Sequence, residues 1–113
     1  MNKRKTGSRY EEQAAAFLEQ QGFQILERND RDRKGEIDII AKDGTCLVFV
    51  EVKYRKDIDN GYPEEAVGYY KQQHIRHTAA YYLCSHGLGD DTICRFDVVS
   101  ILGTEIRLIK DAF

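Results

Sequence analysis

Asp38 and Glu51 stand thirteen positions apart in a chain of 113 residues, and Lys53 follows Glu51 at the second position. Two carboxylates and an ammonium gathered around one point suit phosphodiester hydrolysis. Hard oxygen ligands hold Mg²⁺ or Mn²⁺ through one or two carboxylates and leave coordination positions open to water and phosphate. The metal would polarise the phosphate and activate the water, while Lys53 orients that water or stabilises developing charge. A plainer reading is a buried salt bridge between Asp38 or Glu51 and Lys53. The D…ExK pattern alone is short and common, so its setting must decide between the two.

That setting is a buried strand. Cys46 to Val52 (CLVFVEV) is almost wholly apolar and rich in β-branched and aromatic residues, as in a central strand. A carboxylate at Glu51 and an ammonium at Lys53 are costly there unless paired, hydrated or metal-bound. Residues two apart on a strand share a face, so Glu51 and Lys53 project together while Val50 and Val52 point the other way. Gly35 to Ala41 (GEIDIIA) reads as the partner strand, with Asp43-Gly44 as a hairpin turn signal. Antiparallel pairing about that turn sets Asp38 opposite the region of Val48 to Val50, within reach of Glu51 through a diagonal or staggered register.

The remaining chain supplies the elements around this hairpin. Ser8 to Gln21 reads as a helix ending at Gly22, with Ser8 and Glu11 matching a capping box. Phe23 to Arg28 alternates as a strand, and Asn29 to Lys34 is a polar loop. After a loop over Asp57 to Tyr62, Pro63 opens a helix running to about Leu83, whose Ile75, Ala79, Tyr82 and Leu83 form a core face. Ser85 to Asp91 is a Gly-containing loop, and Ile93 to Ile101 and Glu105 to Ile109 are strands joined near Gly103-Thr104. The order α-β-β-β-α-β-β predicts a mixed α/β sheet flanked by helices, with the long second helix as a crossover.

Length and composition predict one domain spanning residues 1–113, with no repeat or linker. No apolar stretch is long enough to span a membrane, and the basic start MNKRK precedes no hydrophobic signal region, so a cytoplasmic location is expected. Cys46, Cys84 and Cys94 have no CxxC spacing and read as reduced thiols. Cys84, His86 and Cys94 with His74 and His77 lack the spacing of a tetrahedral zinc site.

A net charge of −2 argues against a broadly basic nucleic-acid surface. Cations nevertheless cluster: Lys3, Arg4, Lys5 and Arg9 at the start, Arg28, Arg31, Arg33 and Lys34 before the first motif strand, and Arg55 and Lys56 after the second. Solvated loops are the commoner meaning of such runs. Arg9, Arg33, Lys34, Arg55 and Lys71 are the candidate DNA contacts.

Gly7-x-x-x-Glu11-x-x-Ala14, Gly35-Glu36-Ile37-Asp38, Phe49-Val50-Glu51-Val52-Lys53, Pro63-x-Glu65-Ala66-Val67 and Arg95-Phe96-Asp97-Val98-Val99 together resemble the bacterial YraN-like family. That family is similar to archaeal Holliday junction resolvases and the PD-(D/E)xK restriction-endonuclease-like superfamily. The resemblance implies a core αβββαβ fold and Mg²⁺-dependent cleavage of branched or structured DNA. By position it makes Asp38 and Glu51 metal-binding acids, Lys53 the catalytic lysine, Glu11 an additional catalytic and metal-binding glutamate, and the Val52 carbonyl a further metal ligand. Ile37 stands where the superfamily motif nominally has proline. Junction resolution needs two symmetric cuts, which implies a homodimer. The alternative is a non-catalytic nucleic-acid-binding or DNA-processing accessory protein of the same fold.

Overall fold

The computed structural model describes the backbone of residues 3–32 and 35–113 and the side chains of residues 9–29 and 36–113. In order, the elements are α1 (Lys3–Gln20), β1 (Gln24–Asp32), β2 (Gly35–Asp43), β3 (Cys46–Arg55), a 3₁₀ turn (Pro63–Ala66), α2 (Tyr69–Ser85), β4 (Cys94–Leu102) and β5 (Glu105–Ile109). The five strands lie side by side in chain order. All neighbours are antiparallel except β3 and β4, which the α2 crossover makes parallel. This is the mixed, helix-flanked α/β sheet the pattern predicts, compatible with a restriction-endonuclease-like core.

The two sheet faces bury different partners. Ala14, Ala15 and Leu18 of α1 pack with Ile39, Ala41, Val48, Val50, Val99 and Ile101. Ala79 and Tyr82 of α2 pack with Ile37, Ile40, Leu47 and Phe49. Phe49, fully enclosed, meets Tyr82 edge-on at 5.9 Å between ring centroids and stacks on Phe96 at 5.6 Å. Truncating such a ring to alanine costs about 3–5 kcal/mol. α1 stops at Gly22, whose φ of 93° lets the Phe23 amide donate to the Leu18 carbonyl and the Gly22 amide to that of Glu19. This Schellman closure satisfies two terminal carbonyls and seats Phe23 beside Leu18 in the core.

The hairpin turns through Gly44 and Thr45, with Asp43 paired to Cys46 and Gly44 at φ 63°. Its register is Ile39–Val50 and Ile40–Phe49. The paired register ends at Ile39–Val50, one step before Asp38 and Glu51.

Three other boundaries differ from the sequence reading. α1 begins at Lys3, so Ser8 lies inside the helix and cannot cap it, which removes the capping explanation for Glu11. Lys and Arg are good helix formers, and they carry the helix across Gly7 despite its cost of about 1 kcal/mol. β1 runs to Asp32, replacing most of the expected polar loop, because the ladder to β2 continues through Asp30–Ile37 to Asp32–Gly35. The helix expected from Pro63 is divided. Val67 turns inward onto Ile75 and Val98, Gly68 is extended at ψ 178°, and α2 starts afresh at Tyr69. Glu64 anchors the short turn by accepting from Ser100 Oγ at 2.7 Å and from Arg107. No helix among the described residues is long and apolar enough to cross a membrane.

Candidate metal and phosphate site

β2 and β3 diverge just past the Ile39–Val50 pair, and the side chains at that fork line a cavity of about 720 Å³. Its walls are Tyr10 and Glu11 from α1, Asp38 from β2, Glu51, Val52, Lys53 and Tyr54 from β3, and Lys71 from α2. Alternation along β2 breaks at this point: Ile37 joins the α2-side core and Ile39 the α1-side core. Across the ladder, between the pairs Arg28–Ile39 and Asp30–Ile37, Asn29 takes a left-handed φ of 56°. Such local irregularities re-aim side chains at strand ends. Asp38 uses its new direction to accept a hydrogen bond from the Val52 amide at 2.8 Å, which fixes its carboxylate beside Glu51.

Glu51 is 4% exposed, close to full burial for a carboxylate. Burial pushes its pKa up to about 9, reinforced by the hydrogen bond its protonated form donates to Asp38 and by the charge there, while Lys71 and Lys53 pull it down. Among the described residues Glu51 Oε2 is buried without a hydrogen-bond partner, and Lys71 Nζ stands 3.4 Å from it. Without an added cation Glu51 therefore holds its proton near neutral pH, because burial and the adjacent Asp38 charge disfavour its ionised form.

Glu11 reaches the same cavity from α1. Among the described residues, no three His, Cys, Asp or Glu side chains converge tightly enough to ligate one ion by themselves. Asp38 and Glu51 form the close pair, and Glu11 stands on the facing wall. Of the candidate DNA contacts, Lys71 is in the cavity, and Arg9 stands beside it, donating to the Tyr10 hydroxyl at 3.1 Å. Arg55 closes the far end of β3, where its carbonyl accepts from the Gly103 amide, and does not line the cavity. Arg33 and Lys34 lie outside the described residues, as do the side chains of Lys3, Arg4, Lys5 and Arg31.

Two wall residues carried no sequence signal. Tyr10 and Tyr54 stack nearly parallel, with centroids 3.9 Å apart and planes at 12°. A hydrogen bond between their hydroxyls lowers the pKa of Tyr10 and raises that of Tyr54. One ring comes from α1 and the other from β3, so only the tertiary fold joins them.

A second acidic cluster lies one strand away. Asp97 is fully enclosed and accepts from Arg95 Nε and Nη2, each at 2.8 Å, and from the Asp111 amide at 2.9 Å. Arg95 also donates to Asp43 at 3.0 Å, and this hydrogen bond holds the Asp43 carboxyl below its ordinary pKa. Asp97 is thus a structural hydrogen-bonding residue.

The fold and cavity define a class: a mixed α/β sheet carrying an Asp–Glu pair and a lysine where a hairpin opens. Residues 10–101 match the Uncharacterised protein family UPF0102, and the chain belongs to that family. It is 55% identical over 113 residues to a UPF0102 protein of Lachnoclostridium phytofermentans, covering all of this chain and 96% of the relative. It is 44% identical to a UPF0102 protein of Caldicellulosiruptor saccharolyticus over the full length of both. It is also 41% identical to UPF0102 protein YraN of Escherichia coli O8, covering 97% of this chain and 85% of that protein.

Proposed function

We propose that this protein is a divalent-metal-dependent nuclease acting on branched or otherwise structured DNA. The supporting observation is the incompletely compensated Asp38–Glu51 pair at an open cavity, with Lys53 and Lys71 on its walls. The donor set fits Mg²⁺ or Mn²⁺: two convergent carboxylates and the Val52 main chain, with Glu11 facing them and room for water, are oxygen ligands of the kind these ions take. When bound, the ion supplies Lewis-acid polarisation of the phosphate and a more acidic water. Asp38, held by the Val52 amide, and Glu51 are the anchoring carboxylates. Lys53, two positions on and on the same strand face, stabilises the negative charge that develops on the phosphate. Lys71, whose ammonium stands 3.4 Å from Glu51, would be available to a phosphate oxygen. A second copy of the chain would provide the second of two symmetric cuts.

The test is cleavage of labelled linear duplex, single strand, flap and four-way junction with Mg²⁺ or Mn²⁺. Glu51→Ala and Lys53→Ala are expected to lose on the order of 100-fold or more in rate. Metal-independent cutting, or cutting that survives both substitutions, contradicts the proposal. The accessory reading is favoured by one observation, the acidic sequence pI of about 5.9. It predicts no cutting and equal DNA binding by all three proteins.

A further inference from the structure

α2 presents two apolar faces, and among the described residues only one of them is covered. Ile75, Thr78, Ala79 and Tyr82 are buried against the sheet. Tyr70, His74, His77 and Tyr81 follow at intervals of four, three and four residues, so they form one line along the helix. All four are exposed, Tyr70 by 80% and Tyr81 by 55%. Tyr70, Gln73, His74 and His77 edge a shallow groove of about 260 Å³. The line spans roughly 16 Å from Tyr70 to Tyr81 by helix rise.

The charge of this helix sets it apart. Its seventeen residues, YYKQQHIRHTAAYYLCS, contain no Asp or Glu in a chain that has 19 of them. Lys71, beside Tyr70, reaches Glu51 in the cavity, so the aromatic line begins where the proposed cutting site ends. At the other end Glu27 stands 4.0 Å from His86, beyond the line.

We propose that the outward face of α2 is a stacking platform for an unpaired nucleic-acid strand, which it guides toward the Asp38–Glu51 cavity. Planar rings accept any base by stacking, and an acid-free helix bearing lysine and imidazoles tolerates the approaching phosphates. The guiding role rests on the nuclease reading, whereas the strand-binding role stands apart from it. The platform also names the feature of the substrate it recognises: an unpaired segment such as a flap or an opened branch point.

Binding without cleavage separates the two. In EDTA, anisotropy of dye-labelled dT20 is measured with wild type, Tyr70→Ala/Tyr81→Ala and Tyr70→Phe/Tyr81→Phe, with rU20 and a duplex of equal length as further probes. The alanine pair is expected to bind dT20 roughly tenfold or more weakly, and the phenylalanine pair to bind as wild type. Comparison of rU20 with dT20 distinguishes an RNA from a DNA platform. Failure of wild type to bind either single strand, or equal binding by the alanine pair, overturns the proposal. If that equal binding is accompanied by a shift in sedimentation from dimer to monomer, the face is instead an interface between copies. If cleavage fails but the alanine pair still loses dT20, the nuclease reading falls and the platform remains.

Discussion

Two acidic clusters occupy neighbouring strands and have opposite electrostatics. Around Asp97 every charge is answered: both oxygens accept from Arg95 or a backbone amide, and Arg95 divides its donors between Asp97 and Asp43. Around Glu51 the balance is incomplete, with one carboxyl pressed against another and a buried oxygen facing only a lysine at 3.4 Å. Val50 pairs with Asp97 and Glu51 with Val98, so adjacent positions of one ladder carry the two behaviours. A satisfied buried pair stabilises its own geometry, whereas an unsatisfied one beside a cavity is a place for a cation. Both clusters set two carboxyls beside cations, and they differ in the supply of hydrogen-bond donors.

The most disruptive way to break this comparison is Asp97→Ala. It strands Arg95 in a half-buried position and frees the Asp111 amide, and should lower unfolding free energy by about 3–5 kcal/mol in a urea titration. Divalent cation sharpens the contrast next. Mn²⁺ at a hundred times its Kd should stabilise wild type by about 2.7 kcal/mol and leave Asp38→Ala unchanged, read as the shift in melting temperature.

Glu51→Gln should act in the opposite sense to Asp97→Ala. A carboxyl with a folded pKa of about 9 against an ordinary 4.5 keeps its proton longer when folded. Its contribution to stability is therefore fully present below pH 4.5 and drains away as pH rises toward 9. In metal-free buffer, Glu51→Gln should match wild type near pH 4.5 and exceed it at pH 8 by on the order of 1–3 kcal/mol. A smaller effect belongs to the cavity wall: Tyr54→Phe should raise the Tyr10 pKa toward that of an ordinary phenol in an ultraviolet titration.

Much of this was legible in the sequence because it depends on local spacing. Glu51-x-Lys53 in an apolar run, the Asp43-Gly44 turn and the α-β-β-β-α-β-β order all follow from periods of two and 3.6. Spacing could not reveal the break in β2 at Asp38, which depends on Asn29 across the ladder. Nor could it reveal that Tyr10 stacks on Tyr54 or that Lys71 pairs with Glu51, since each joins elements far apart in the chain. The capping box at Ser8 and Glu11 misled for the converse reason. The motif was locally sound, but the residues before it are equally good helix formers, and the helix ran through it.

The most direct measurement is Mn²⁺ binding to wild type by isothermal titration at pH 6, 7 and 8, with Asp38→Ala alongside. The account predicts an affinity that rises with pH, release of close to one proton per ion because the cation displaces the proton held by Glu51, and loss of binding in the variant. An affinity independent of pH, or equal binding by Asp38→Ala, would contradict it.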